Sequence, residues 1–287
     1  MLKHLIFFFI AFNTIFPQEF EFVTEIGKFT GASSFSFVPT GVIYVADAMD
    51  NEIYKIDTDG NLLRYIGGFG WDASSFDDPA DIFATALKVY VSDRNNHRIQ
   101  IFDKDLNFLN EVKFRNDQGN NNAEDYRFGY PTSSGVSSMG DLFILDSENK
   151  RVLKFNITGE YALQFGNYQS GYYATNNPRK LAVTQDNRIL VLDDSSIVVY
   201  DQFGAGLAKI RTNTDLVNIN VTFDQLVLNS KDKIFATELL PGKETLLAEV
   251  KLSGYDFKSD ISEAFIYRDN IYILTQKQIV IFKRKKG

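Results

Sequence analysis

Cysteine is absent from the 287 residues of this chain, and histidine occurs only twice. Without cysteine the protein has no disulfide framework, no thiolate nucleophile or metal ligand, and no lipid anchor on an N-terminal cysteine. Two histidines, His4 and His97, are too few for a zinc site built from several of them. Long amphipathic helices are missing as well, because no stretch after residue 17 keeps a helical apolar period over several turns. An all-β protein is therefore expected.

Basic residues are outnumbered, with 30 Lys and Arg against 37 Asp and Glu, which gives a formal net charge of −7. A chain this acidic has no general electrostatic attraction for the phosphate backbone of nucleic acids. The composition therefore predicts that nucleic acid is not a partner.

The N-terminus resembles an export signal. Lys3 and His4 precede an apolar run from Leu5 to Phe16, which is shorter than the roughly 20 residues that a membrane-spanning helix requires. We expect residues 1–17 to be a signal peptide, with an uncleaved anchor as the alternative, and residues 18–287 to form a single mature domain without a membrane span. Export without cysteine is typical of a bacterial envelope protein, so a periplasmic or extracellular location is expected.

Aromatic residues are abundant, with 26 Phe and 14 Tyr, and they recur in a repeated pattern. The segments IYVADAMDNEIYKID (43–57), VYVSDRNNHRIQIFD (89–103) and LFILDSENKRVLKFN (142–156) each contain an apolar strand that ends in aspartate, a polar turn and a second strand. Shorter copies follow at 189–201 and 271–283, and a divergent one at 234–250 places Thr237 at the aspartate position. A period of roughly 40–50 residues made of short strands predicts a β-propeller with one four-stranded sheet per repeat.

The polar cluster in this repeat combines Asp, Asn, His and Arg, which suggests an active site until its recurrence is considered. An aspartate at a turn accepts hydrogen bonds from nearby backbone N–H groups, and an arginine beside it forms an ion pair. A feature that occurs in several repeats is structural, and His97 is then an exposed turn residue. The predicted structural turn residues are Asp47, Asp93, Asn96, Arg98, Asp146, Arg151 and Asp193.

These residues resemble the NHL repeat, since Asn96-His97-Arg98-Ile99 is close to the Asn-His-Leu of that family. Pro79, Pro131 and Pro178 ahead of the inner strands also match. The resemblance implies a six-bladed propeller whose blades each contain strands a, b, c and d from the axis outward, and which mainly binds partners. The last repeat ends without a d strand. The alternating segment EFEFVTEIG (19–27) is predicted to supply it and to close the ring, which removes two open sheet edges.

Long d-to-a loops at 67–79, 115–131 and 166–178 are rich in aromatic residues. Such loops emerge on the same face as the b-to-c turns, and Trp, Tyr and Arg are common anchors of interfaces. Some of these aromatics, such as Phe76 and Phe128, are expected to pack between blades instead. The candidate partner-binding residues are Trp71, Tyr126, Arg127, Tyr168, Tyr172 and Tyr173.

The central channel is the second candidate site. Counting from the start of each inner strand places one residue of each blade there: Ser34, Asp81, Ser133, Lys180, Gln225 and Glu263. Asp81 and Glu263 are possible calcium ligands, but two carboxylates and a lysine also form a mutually neutralising ring, which we favour because calcium needs more oxygen ligands. The sequence therefore predicts an exported, non-catalytic scaffold without cofactor for a protein, peptide or glycan. The alternative is a calcium-dependent propeller enzyme of the lactonase or lyase kind.

Overall fold

The computed structural model describes residues 10–12, 18–113, 129–223, 225–239 and 245–285. Short strands dominate these ranges, joined by one 3-10 helix at Tyr168–Tyr173. The strands form six sheets, and in each sheet consecutive strands pair antiparallel from the axis outward. In the described ranges no helix has the length and apolar character needed to cross a membrane.

The strands are numbered along the chain. The first two are β1 (Ile10–Phe12) and β2 (Glu19–Ile26). Blade 1 contains β3 (Ala32–Val38), β4 (Val42–Asp47), β5 (Glu52–Asp57) and β6 (Leu62–Gly67). Blade 2 contains β7 (Pro79–Ala84), β8 (Lys88–Asp93), β9 (Arg98–Asp103) and β10 (Phe108–Lys113). Blade 3 contains β11 (Pro131–Val136), β12 (Leu142–Asp146), β13 (Arg151–Phe155) and β14 (Tyr161–Phe165).

The later blades also recruit segments from elsewhere in the chain. Blade 4 contains β15 (Pro178–Val183), β16 (Ile189–Asp193), β17 (Ser196–Tyr200) and β18 (Gly206–Arg211). Blade 5 contains β19 (Asn218–Thr222), β20 (Gln225–Asn229), β21 (Ile234–Glu238) and β22 (Thr245–Glu249), with β1 parallel to β22. After β23 (Lys251–Ser253), blade 6 contains β24 (Ile261–Tyr267), β25 (Asn270–Thr275) and β26 (Ile279–Arg284).

The N-terminal strand closes the ring as predicted. Strand β2 pairs antiparallel with β26 as the d strand of blade 6, from Phe20 opposite Arg284 to Ile26 opposite Ile279, and β23 lies parallel on its outer side. Phe20 and Ile26 are buried. The fold is thus an all-β, six-bladed propeller of four-stranded antiparallel blades, with the last blade assembled from both ends of the chain.

Apolar side chains from neighbouring sheets pack into cores between the blades. Between blades 6 and 1, Phe35 and Phe37 contact the ring of Phe265, with ring centroids 4.7 and 5.0 Å apart. Phe76 is fully buried between blades 1 and 2, in agreement with its expected packing role. Because both faces of each sheet are covered, the b and c strands are almost continuously apolar.

The register of blade 5 differs from the one expected from the repeat. The last residue of each b strand lies opposite the start of its a strand, as Asp193 lies opposite Pro178, and in blade 5 this residue is Asn229, opposite Asn218. The assignment of Thr237 to this position was wrong, because residues 234–238 form the c strand. Gln225 accordingly begins the b strand and is not a channel residue. The apolar segment 225–229 ends in asparagine, so the aspartate that marks the other turns is missing.

Candidate functional site

Aspartates at the ends of the b strands tie the polar turns to the d-to-a loops on one face, which we call the loop face. Asp47 accepts the backbone N–H groups of Thr30 and Gly31 at 2.7 and 2.9 Å. Asp193 accepts those of Asn176 and Asn177 at 2.9 and 2.6 Å. Blades 2 and 3 repeat this arrangement with one bond each, from Asp77 to Asp93 at 2.8 Å and from Gly129 to Asp146 at 3.3 Å. Each of these four carboxylates therefore ties the end of its b strand to the backbone of the preceding loop.

Arg98 fixes the loop that follows blade 1. Its Nε donates to Asp93 at 2.7 Å, and its remaining nitrogens donate to the carbonyl oxygens of Trp71 at 2.7 Å, Asp72 at 3.1 Å and Ser75 at 2.9 Å. Asn96 adds a bond to the carbonyl of Gly70 at 2.8 Å. In blade 3, Arg151 donates to Asp146 at 2.9 Å. The buried guanidinium of Arg98 thus holds three carbonyl groups of the loop backbone.

His97 lies on the rim of the same face. Its Nδ1 accepts the backbone N–H of Tyr130 at 3.1 Å, and the two rings meet edge to face with centroids 4.6 Å apart. Its backbone is in the left-handed region, with φ of 51°. The imidazole therefore joins the b-to-c turn of blade 2 to the start of blade 3.

The structure separates the predicted aromatic residues into exposed and packed ones. Trp71, Tyr168 and Tyr172 are 73%, 84% and 74% exposed. Tyr173 is half-buried, and its carbonyl accepts the hydroxyl of Tyr200 in blade 4. Phe69 was not among the predicted anchors, yet it is exposed beside Trp71 with ring centroids 6.4 Å apart. Tyr126 and Arg127 lie outside the described residues.

The channel is crossed by a buried network to which each blade contributes one residue. Asp81 accepts hydrogen bonds from Ser34 at 2.7 Å, Ser133 at 2.8 Å and Lys180 at 2.6 Å. Glu263 lies 2.8 Å from the hydroxyl of Ser34 and accepts the side-chain amide of Asn220 at 2.9 Å. Lys180 also lies 3.4 Å from Glu263. Asn220, which the sequence analysis missed, takes the place predicted for Gln225 because of the register of blade 5.

The charge of Lys180 is stabilised in this network. Burial is the largest single influence and lowers the pKa of Lys180, but the Coulomb attraction of Asp81 and Glu263 and the hydrogen bonds to them together outweigh it, so the pKa is raised. Its Nζ lies against both carboxylates that we considered as calcium ligands. No group of three or more Asp, Glu or His side chains is arranged to hold a metal ion in the described ranges.

Comparison with known proteins agrees with this architecture. A family model described as NHL repeat matches residues 76–102, which contain the Asp93–Arg98 turn. The chain is 30% identical over 150 residues to "Protein brain tumor" of Drosophila melanogaster, covering 50% of this chain and 13% of that protein. It is 37% identical over 70 residues to NHL repeat-containing protein 3 of Homo sapiens, covering 23% and 20%. The matches thus span only a small part of these relatives.

The fold is also similar to that of a solved lyase. A streptogramin B lyase structure superposes with a TM-score of 0.64 at 13% identity, covering 91% of this chain and 97% of that chain. At this identity the likeness concerns the fold alone. With its ring of six four-stranded blades and the family match at residues 76–102, the chain is a six-bladed β-propeller that contains an NHL repeat.

Proposed function

We propose that this propeller is an exported, non-catalytic binding scaffold that recognises a protein, peptide or glycan through its loop face. The face combines exposed aromatic side chains with polar turns from several blades. Its anchors are Trp71, Tyr168 and Tyr172, with Phe69 beside Trp71.

The observation that carries the proposal is the contrast between the side chain and the backbone of Trp71. The indole is 73% exposed, whereas the carbonyl of the same residue is held at 2.7 Å by the buried guanidinium of Arg98. Backbone bonds between Gly70 and Phe76 and between Phe76 and Gly68 close the loop at its base. An exposed aromatic ring on a fixed backbone loses little conformational entropy on binding, which is the property of an interface anchor.

Electrostatics of the channel support the non-catalytic part of the proposal. A metal between Asp81 and Glu263 would have to displace the ammonium of Lys180, which already lies 2.6 Å from Asp81. The excess of acidic residues over the whole sequence supports a partner other than nucleic acid. The lyase similarity adds no activity to this chain, because only the fold is shared.

The test compares ligand capture by the parent mature chain and two variants of it. Trp71→Ala combined with Tyr172→Ala should abolish capture of envelope proteins and binding to a glycan array, with Tm nearly unchanged because both side chains are largely exposed. Phe203→Ala is the matched control, since Phe203 is 70% exposed but lies in the c-to-d turn of blade 4 on the opposite face. A ligand retained by the control and lost by the double variant supports the proposal. Equal capture by all three forms contradicts it.

Export rests on residues 1–17 and has its own measurement. We expect N-terminal sequencing of the protein from cells to begin near residue 18, in the secreted or periplasmic fraction. A full-length N-terminus in the cytoplasmic fraction would contradict the export proposal without affecting the binding test.

A further inference from the structure

A cavity of about 200 Å³ lies in the channel on the side away from the loop face. Its lining residues sit in the middle and at the far ends of the a strands, so it opens among the a-to-b turns, on the surface that we call the turn face. The buried network around Asp81 separates it from the loop face. It is therefore a site distinct from the one proposed above.

The wall of the cavity combines apolar and polar residues, and its inner end is charged. Four phenylalanines from three blades are among its lining residues, Phe35, Phe37, Phe83 and Phe223, and the rings of Phe35 and Phe37 also pack against Phe265 between blades 6 and 1. Asp81, Lys180 and Glu263 line its inner end, where two carboxylates face one ammonium group. An apolar cavity with a few convergent polar groups is the common form of a small-molecule site. An engineered apolar cavity of about 150 Å³ is known to hold benzene, so about 200 Å³ accommodates one ring with a short chain.

The net charge at the inner end of the cavity favours a ligand with a positive charge. Two carboxylates and one ammonium group give the inner end a formal net charge of −1, which hydrogen bonds from Ser133, Asn220 and the backbone N–H groups of Phe35 and Ser134 stabilise without neutralising it. A cation entering the cavity neutralises it, whereas an anion adds to it.

Oxygen acceptors for a cationic head group are present beside the charged end. Asn220 and Thr222 line the cavity, and the hydroxyl of Thr222 donates to the Oδ1 of Asn220 at 2.7 Å. An amide oxygen and a hydroxyl oxygen each have two lone pairs, so both atoms can accept a further hydrogen bond. We propose that this cavity binds a small organic amine in which one ring or a compact apolar group carries a protonated amino group.

The test uses three probes that share one ring and differ in charge. Phenethylamine should bind the mature chain and raise its Tm, and calorimetry should show it binding roughly tenfold more tightly than the neutral phenethyl alcohol. Hydrocinnamate, the carboxylate counterpart, should not bind measurably. Equal or tighter binding of hydrocinnamate, or no binding of phenethylamine, overturns the proposal.

Two substitutions at one position locate the binding. Thr222→Val removes the hydroxyl and should weaken phenethylamine binding by roughly threefold to tenfold, while Thr222→Phe should fill the cavity and abolish it. Thr24→Val and Thr24→Phe make the same changes at an exposed position of β2 and should leave binding unchanged. Melting curves of all four variants verify folding. If binding by both Thr222 variants equals that of their Thr24 counterparts, the amine binds elsewhere and the assignment is wrong.

Discussion

Blades 1 to 4 differ from blades 5 and 6 in the polar residue that ends the b strand and in the hydrogen bonds that it makes. In the first four, an aspartate at the end of the b strand accepts backbone N–H groups of the preceding loop. In blade 5 the corresponding Asn229 donates instead, to the carbonyls of Ser230 at 3.1 Å and of Ile261 and Ser262 at 3.4 Å. In blade 6, Thr275 accepts two N–H groups of its own turn. The residue that ends the b strand thus stabilises a turn in each of these blades, but in blade 5 it donates hydrogen bonds where the others accept them.

The two regions also differ in how their blades are assembled. Each of the first four sheets is built from one continuous stretch of chain, whereas the last sheet needs β2 from the N-terminus. Between blades 1 and 2 the contacts include polar bridges, such as Lys55 to Asp105 at 2.6 Å. Between blades 6 and 1 they include the aromatic contacts of Phe35 and Phe37 with Phe265, beside polar bonds such as that of Lys277 to the carbonyl of Thr30 at 2.7 Å. Both junctions therefore contain a buried apolar core, to which aromatic packing adds between blades 6 and 1 and a salt bridge adds between blades 1 and 2.

The largest effect is expected from removing the closing strand. Deletion of residues 19–27 exposes the edge of β26 and removes the buried Phe20 and Ile26, so the free energy of unfolding should fall by more than about 4 kcal/mol. Urea denaturation measures the loss. Val23→Ala, at an exposed position of the same strand, is the control and should change little. A truncated chain that melts with the parent would show that β2 does not close the propeller.

The next effect concerns the clamp that is specific to the early blades. Arg98→Ala leaves the buried Asp93 without its ion-pair partner and frees three loop carbonyls, at a cost of about 3–5 kcal/mol. Arg94→Ala breaks the more exposed pair with Asp78 and should cost less than about 1 kcal/mol. Chemical denaturation of the two variants in parallel measures the loss of unfolding free energy in each. Similar losses of unfolding free energy would contradict the prediction that the buried Arg98–Asp93 pair stabilises the fold more than the more exposed Arg94–Asp78 pair.

A reciprocal exchange tests the reversed hydrogen bonds directly. Asn229→Asp replaces a donor by a carboxylate that faces carbonyl oxygens, and it should cost about 1–3 kcal/mol at pH 7. Asp193→Asn keeps an oxygen that can accept the N–H groups of Asn176 and Asn177, and it should cost about 1 kcal/mol or less. Unfolding free energies of both variants check the difference. If the two substitutions cost the same, the direction of the bonds is not what distinguishes the blades.

The same comparison explains what the sequence could and could not predict. Alternating apolar strands, aspartate-terminated turns and prolines are local signals, so the first four blades and the closing strand were predictable within a residue or two. Blade 5 lacks the aspartate, and its b strand (225–229) is followed by a second apolar strand (234–238). The sequence pattern could not distinguish the two, so the c strand was taken for the b strand and Thr237 for its last residue. Asn220 was missed in the channel for the same reason, since one shifted strand changes which side chain faces the axis.

Exposure was less predictable than position. Trp71 and Tyr173 occupy similar aromatic loops, but only the contact of Tyr173 with blade 4 makes it half-buried, and that contact joins residues far apart in the sequence. The clamp of Arg98 on three loop carbonyls is also invisible in sequence, because backbone acceptors carry no residue identity. Long-range contacts, and not composition, decide which loop aromatics are available to a ligand.

The smallest expected effect appears at alkaline pH, at a tyrosine that joins blades 1 and 2. The hydroxyl of Tyr44 donates to the carbonyl of Lys104 at 2.6 Å, and burial, with smaller contributions from Asp105 and Asp103, raises its pKa to about 12. A group whose pKa is higher in the folded state contributes stability that is complete below its unfolded pKa of about 10 and is lost as pH rises through 12.

Tyr44→Phe should therefore cost about 1 kcal/mol at pH 7, and its deficit relative to the parent should shrink as pH rises from about 10 to 12. Tyr272, which pairs with β26 at the matching position of blade 6, stacks on Phe265 with ring centroids 4.8 Å apart. Tyr272→Phe keeps that stacking, so it is the matched control for the loss of a hydroxyl. Unfolding free energies across this pH range provide the measurement. A deficit of Tyr44→Phe that stays constant with pH would show that the bridge to Lys104 does not couple the tyrosine proton to folding.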